Sequence, residues 1–168
     1  MFEKHAYVFH ESGGVCRIVD ICKAPLENMP SNRDYYVLRP LQDDNSMIYV
    51  PTDSDRIFLR RLLTREESEA LLAQIASVEI IKEENSKLLR NRYVEAMRTH
   101  EPIEWVRVIK TVEARMVLLA SRSQRLSETE RSHMERAKRH LKGELSVSLE
   151  ISESDAERLL VDRMKNLA

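Results

Sequence analysis

The sequence predicts an α+β protein: a small N-terminal β module followed directly by a C-terminal all-α bundle of about five helices. Three observations carry this. Hydrophobic residues alternate with a period of two before residue 62 and of about 3.6 after it. Short β-branched and aromatic runs before that point are separated by clusters of turn residues. After it, Ser/Thr-x-x-Glu/Asp signatures recur ahead of apolar runs, as capping boxes do at helix starts. The expected domains are residues 1–62 and 63–168.

The β runs are Ala6–Phe9, Val15–Ile21, Tyr35–Leu38 and Met47–Val50. Between them lie Glu11-Ser12-Gly13-Gly14, Asn28-Met29-Pro30-Ser31-Asn32 and Asp43-Asp44-Asn45-Ser46. Five or so strands in about 60 residues make a small twisted sheet or an SH3/Tudor-sized barrel. Pro40 and Pro51 are expected just past strands, where a missing N–H costs little. Thr64-Arg-Glu-Glu67 then caps a helix with an apolar stripe of Ala70, Leu71, Ile75 and Val78. A second helix, roughly 84–99, buries Leu88, Leu89, Tyr93 and Met97. Pro102 suits the first turn of a third, which carries Trp105, Val108, Ile109, Val112, Met116 and Leu119. Ser127-Glu-Thr-Glu130 opens a fourth that runs through Leu141 toward Leu149. Ser152-Glu-Ser-Asp155 opens a last amphipathic helix with Leu159, Leu160 and Met164.

Composition excludes several classes of function. With three glycines in 168 residues, neither GxGxxG nor GxxxxGK can be written, so Ser12-Gly13-Gly14 reads as a hairpin turn. The histidines His5, His10, His100, His133 and His140 include no i, i+4 pair of the kind a helical zinc site uses. His133 and His140 are expected to be solvated. Cys16 and Cys22 fall in or beside an apolar strand, as small buried thiols do, and nothing nominates a base for either. No metal, no cofactor and no enzymatic activity are expected. No apolar run approaches the roughly 20 residues needed to cross a bilayer, and Met1–His5 show no signal peptide. A cytoplasmic monomer without membrane contact is the expectation.

Two surfaces remain for binding. A small sheet has edges, and an exposed edge accepts a partner's strand. In Ser46–Val50 alternate residues face opposite ways, and the aliphatic Ile48 and Val50 make the better core pair. That leaves Met47 and Tyr49 as an exposed patch, against the alternative that so small a barrel buries its aromatics anyway. The second surface is electrostatic. The formal charge of -1 conceals ten basic side chains against four acidic ones over residues 105–143. Arg125 and Arg131 flank the start of the fourth helix, where backbone N–H groups also favour phosphate. Lys87, Arg90 and Arg92 add charge on the second helix. A solvated, salt-bridged helix surface is the competing reading.

Gly13-Gly14-Val15-Cys16-Arg17-Ile18, Tyr35-Tyr36-Val37-Leu38-Arg39-Pro40, Ile48-Tyr49-Val50-Pro51 and Arg60-Arg61-Leu62-Leu63 occur in order. They are followed by Tyr93-Val-Glu-Ala-Met-Arg98, Val108-Ile-Lys-Thr111 and Ala137-Lys-Arg-His-Leu-Lys-Gly-Glu144. This ordered set resembles the CarD/CdnL family of bacterial transcription regulators over essentially the whole chain. The resemblance implies a Tudor-like β domain, shared with transcription-repair coupling factor, that pairs edge to edge with the RNA polymerase β-subunit lobe. It implies a helical domain that contacts promoter DNA through the phosphate backbone at the upstream edge of the melted region and stabilises the open complex. By position, Met47 and Tyr49 with Lys23 and Arg39 would face polymerase. Arg131 would take the family's DNA contact, with Lys87, Arg90 and Arg125 as further candidates. Where family members carry a tryptophan that wedges into DNA, residues 80–87 here have none, and Trp105 is expected in the core. The competing function is a protein-interaction adaptor that uses the β edge, with the helices as a scaffold that does not touch DNA.

Overall fold

The computed structural model describes residues 1–165; residues 166–168 of the expected helical domain lie outside the described residues. The chain divides into two compact units, Met1–Leu63 and a second that begins at Thr64. The expected α+β architecture is borne out in both.

The first unit holds β1 (Tyr7–His10), β2 (Gly14–Lys23), β3 (Asp34–Pro40), β4 (Ile48–Pro51) and β5 (Leu59–Arg61). They form one antiparallel sheet in the order β4-β3-β2-β1-β5. The sheet curls into a half-barrel. Gly13, in the β1–β2 turn, records that curl: a Cβ there would lie 2.6 Å from Ile48 Cδ1 of β4, a strand two places away from β2 in the sheet. His10 Nδ1 holds the turn by accepting the N–H groups of Ser12 (3.3 Å) and Gly13 (3.0 Å), and Gly14 takes the positive φ of 66° that follows. Pro40 and Pro51 end β3 and β4 rather than follow them.

A register shift between Ile18 and Asp20 makes Val19 a bulge in β2. Before the bulge, Cys16 and Ile18 point into the core; after it, Ile21 does. One extra residue flips the alternation, so a strict period of two cannot describe all of β2. The core is Val8, Cys16, Ile18, Tyr36, Leu38 and Val50, with Phe2, Ala6, Ile21, Ile48, Ile57 and Leu59 packed against it. Phe2 meets Tyr36 edge-on at 6.0 Å, and its N–H donates to Tyr36 Oη at 2.9 Å. Burial pushes the Cys16 thiol up to about 12, so it stays protonated; Cys22 is only half-buried.

The second unit contains α1 (Arg65–Gln74), α2 (Ser86–Arg98), α3 (Pro102–Ser121), α4 (Glu128–Ser148) and α5 (Glu153–Lys165). Thr64 and Ser127 complete reciprocal capping boxes with Glu67 and Glu130, and Pro102 occupies the first turn of α3. A 3-10 turn, Ile75–Ser77, extends α1. Lys110 of α3 reaches this end and donates to the carbonyls of Ile75 (2.8 Å), Ala76 (3.2 Å) and Val78. Trp105, Ile109 and Val112 of α3, Tyr93 of α2 and Leu141 and Leu145 of α4 lie at the centre.

Some expected core positions lie outside. Ala70 is exposed because Leu71 and Leu72 take the inner face of α1, and Leu88 is exposed because Leu89 points inward. Met116 stands with Val117 and Leu118 on an exposed stretch of α3. His140, expected in solvent, is instead buried, its ring 5.1 Å from that of Trp105; half-buried His133 stacks at 5.8 Å on Tyr93. His140 turns inward against α3 and His133 against α2, and an imidazole is apolar enough on its faces to pack on an aromatic ring. Trp105 is in the core, as expected. The Ser127 hydroxyl accepts the Glu130 N–H at 3.2 Å, so Ser127→Ala removes a cap at α4. It is expected to lower the stability of the helical unit by about 1 kcal/mol, read as a drop in the urea midpoint of helical circular dichroism.

Candidate functional site

β4 pairs with β3 alone, through Tyr35↔Pro51, Tyr36↔Val50, Val37↔Tyr49 and Leu38↔Ile48. The Thr52 N–H donates to Asp34 O at 2.9 Å, one step further along the same register. Antiparallel pairs alternate between hydrogen-bonded and non-bonded, so Val50 and Ile48 bond inward to β3. The N–H and C=O of Tyr49 therefore point to the open border, as does the carbonyl of Pro51. Pro51 has no N–H, and it sits where that group would have faced outward.

Side chains follow the same alternation. Ile48 and Val50 pack on the core, whereas Tyr49 is half-buried on the opposite face and Met47, one residue before the strand, is exposed. Arg39 of β3 is exposed on that same outer face and shares a register position with Arg17 of β2. The structure thus brings Met47, Tyr49 and Arg39 together. Lys23 is placed differently. It is exposed at the end of β2, opposite Asp34, and the Val19 bulge turns it to the core-side rim, several residues from Arg39.

In the helical unit the basic residues of 105–143 divide in two. Lys110 is held by the carbonyls at the end of α1, and burial holds its ammonium below the usual lysine range. Arg107 pairs with Glu104 and donates to the Glu79 carbonyl at 3.2 Å. Arg115 pairs with Glu130 at 2.5 Å, Lys138 with Glu113 at 3.4 Å and Lys142 with Glu153 at 3.8 Å. Arg122, Arg125, Arg131, Arg136 and Arg139 are exposed, with no ion pair among the described residues. Arg136 and Arg139 lie on the arc of α4 opposite Ala137, Leu141 and Leu145, whereas Arg131 lies on its flank, two turns before Lys138 on the same stripe.

Of the sequence-predicted cations, Arg90 and Arg125 meet in a cleft of about 520 Å³ between α2, α3 and the start of α4, lined also by Tyr93, Arg115 and Glu130. Arg131 lies one turn into α4, exposed and outside the cleft lining; Lys87 is exposed in the first turn of α2 and likewise outside it. Sequence reasoning does not single out Arg122, Arg136 and Arg139. Their sign is visible in it, but helical phase alone separates them from Lys138 and Lys142, which turn toward acidic partners. Within the cleft wall, burial first and the neighbouring Glu130 second push the Tyr93 hydroxyl above its ordinary range.

Burial first, then the Arg136 charge, holds His133 below its ordinary 6.5. As pH falls, the unfolded chain takes up this proton before the folded one does. The contribution is complete above about pH 6.5 and is lost as pH drops through that value toward the depressed one. Comparing urea midpoints between about pH 5 and 7 is expected to show a shallower fall on acidification for His133→Gln than for the native chain.

Among the described residues no helix is long and apolar enough to cross a membrane, and no cluster of His, Cys, Asp and Glu is arranged to hold a metal. No match is found among curated proteins. Residues 2–63, the first compact unit but for its initial methionine, match the CarD-like/TRCF RID domain. Over those residues the resemblance seen in the sequence is borne out: the β module that carries the open β4 border is similar to the CarD-like/TRCF RID domain, which relates to RNA polymerase interaction.

Proposed function

We propose that this chain is a non-enzymatic bacterial transcription regulator that bridges RNA polymerase and promoter DNA in the cytoplasm as a monomer. Its β module docks on the polymerase β-subunit lobe by adding a strand at β4. Its helical module contacts promoter phosphates at the upstream edge of the melted region and so stabilises the open complex. The observation that carries the reading is the unpaired β4 border, with Tyr49's peptide groups facing outward, in a unit that matches an RNA polymerase-interaction domain. The five arginines from Arg122 to Arg139, with no ion pair among the described residues, support the DNA half, because neutralising phosphate requires cations the protein has not already neutralised. Binding that is stronger in the open complex shifts that equilibrium, and a coupling of 1–3 kcal/mol changes its population about 5–150-fold.

The outward peptide of Tyr49 provides a test of docking that leaves the sheet intact. Tyr49→Pro deletes an N–H that β3 does not use, whereas Val50→Pro deletes one that it does. Tyr49→Pro is expected to keep native circular dichroism and lose binding to an isolated β-lobe fragment; Val50→Pro is expected to lose both. A Tyr49→Pro chain that binds as well as the native one moves the docking surface off β4.

The DNA half is tested by the lifetime of heparin-challenged promoter complexes. Arg131→Glu with Arg125→Glu is expected to shorten that lifetime and to lower the salt slope of binding by about one for each phosphate no longer neutralised. Equal lifetimes for native and charge-reversed chains would remove DNA from the reading and leave the adaptor that uses only the β border.

A further inference from the structure

We propose that the cleft between α2, α3 and the start of α4 is a binding site for a phosphate monoester with an apolar body, about the size of a mononucleotide. The cleft holds about 520 Å³, within the range of small-ligand sites. Arg90 and Arg125 stand in its lining with no ion pair among the described residues. Glu130 is the only carboxylate on the wall, and both its oxygens are engaged: Oε1 by Arg115, Oε2 by the N–H and hydroxyl of Ser127. The wall therefore keeps two positive charges for a ligand.

Two helices also begin here. Ser86 opens α2, and Ser127 and Thr129 flank the first turn of α4. The Ser127 hydroxyl takes the Glu130 N–H, which leaves those of Glu128 and Thr129 without a partner among the described residues. Such orphan donors and the positive ends of helices favour an anion. An independent sign is Tyr93. It lines the cleft at 0 % exposure, and its hydroxyl completes no hydrogen bond of good geometry among the described residues, the Glu130 carboxylate lying near enough only to push it above its ordinary range. A buried hydroxyl left unbonded costs free energy, and a bound phosphoryl oxygen would accept from it. The Tyr93 ring, with Leu89 and Leu119, supplies the apolar wall for the rest of the ligand.

The same chemistry is offered by a free nucleotide and by a nucleotide splayed from a single strand, so the test uses both. Calorimetry titrates the full chain, without polymerase or promoter, with AMP, with adenosine and with a short oligothymidylate. AMP or the oligonucleotide is expected to bind and adenosine not to; whichever phosphate ligand binds more tightly names the source. Arg90→Glu with Arg125→Glu is expected to weaken that binding by at least about tenfold, the effect of removing two charge-assisted hydrogen bonds. Arg163→Glu on α5, a charge change outside the cleft, is expected to leave it unchanged. Tyr93→Phe is expected to weaken binding while the melting temperature without ligand holds or rises. Should Tyr93→Phe fail to fold, the two exposed arginines decide. The proposal is overturned if neither phosphate ligand binds, if adenosine binds as well as AMP, or if the doubly reversed chain binds like the native one. Because promoter DNA is absent, these outcomes stand apart from those that test promoter contact.

Discussion

A cation already bound by the protein's own oxygens is not available to a phosphate, and this constraint shapes the helical unit. Lys110 is enclosed by three carbonyls at the end of α1, and Arg115 is locked to the carboxylate that caps α4. Both come from α3, the helix that carries Trp105 and Ile109, and both tie it to a neighbour. Those charges hold the bundle. Charges left on the outer side of α4 and in the α3–α4 turn make no ion pair among the described residues and tie no helix to another. A count of basic residues over 105–143 overstates the unpaired cations there roughly twofold, and only pairing resolves the two groups.

The β module faces the same question with backbone groups instead of side chains. An edge strand exposes every second peptide, and long edges invite unwanted partners. β4 limits that exposure by its four-residue length and by Pro51, which removes one outward donor. Tyr49 then supplies the only outward N–H inside the strand. So short a border offers few hydrogen bonds, and affinity there depends on neighbouring side chains of the same outer face. Met47, Tyr49 and Arg39 place an apolar, an aromatic and a cationic side chain on that face. Lys23 stands at the far end of a bulged strand and contributes at most to the wider potential.

How much of this is legible in the sequence depends on the range of the physics involved. Caps are local, so Thr64, Ser127 and Pro102 mark their helices correctly from a few residues of context. Alternation is nearly local, and it orients Met47–Val50 because no bulge interrupts β4. In β2 the bulge at Val19 does interrupt it, and the lone Asp20 beside it, whose Oδ1 accepts the Ile21 N–H, is too slight a signal to announce the change. Phase along a helix depends on what packs against it. Leu88 against Leu89 and Ala70 against Leu71 are decided by a neighbour that sequence does not display. His140 illustrates the limit: a histidine in a stretch rich in arginine and lysine reads as solvated until the Trp105 ring is found across the interface.

The geometry of the unpaired arginines carries the argument one step beyond their number. Arg136 and Arg139 project from the outward arc of one long helix and Arg131 from its flank, a convex array of exposed charges. Arg90 and Arg125 instead converge from α2 and the α3–α4 turn on a concave wall lined by Tyr93, Leu89 and Leu119. A convex array is satisfied by many phosphates at once and tolerates small displacements. A concave one demands a ligand whose shape fills it, since any gap leaves desolvated donors without partners. Two sets of cations of the same sign thus differ in what surrounds them, one exposed along a helix and the other recessed beside apolar side chains.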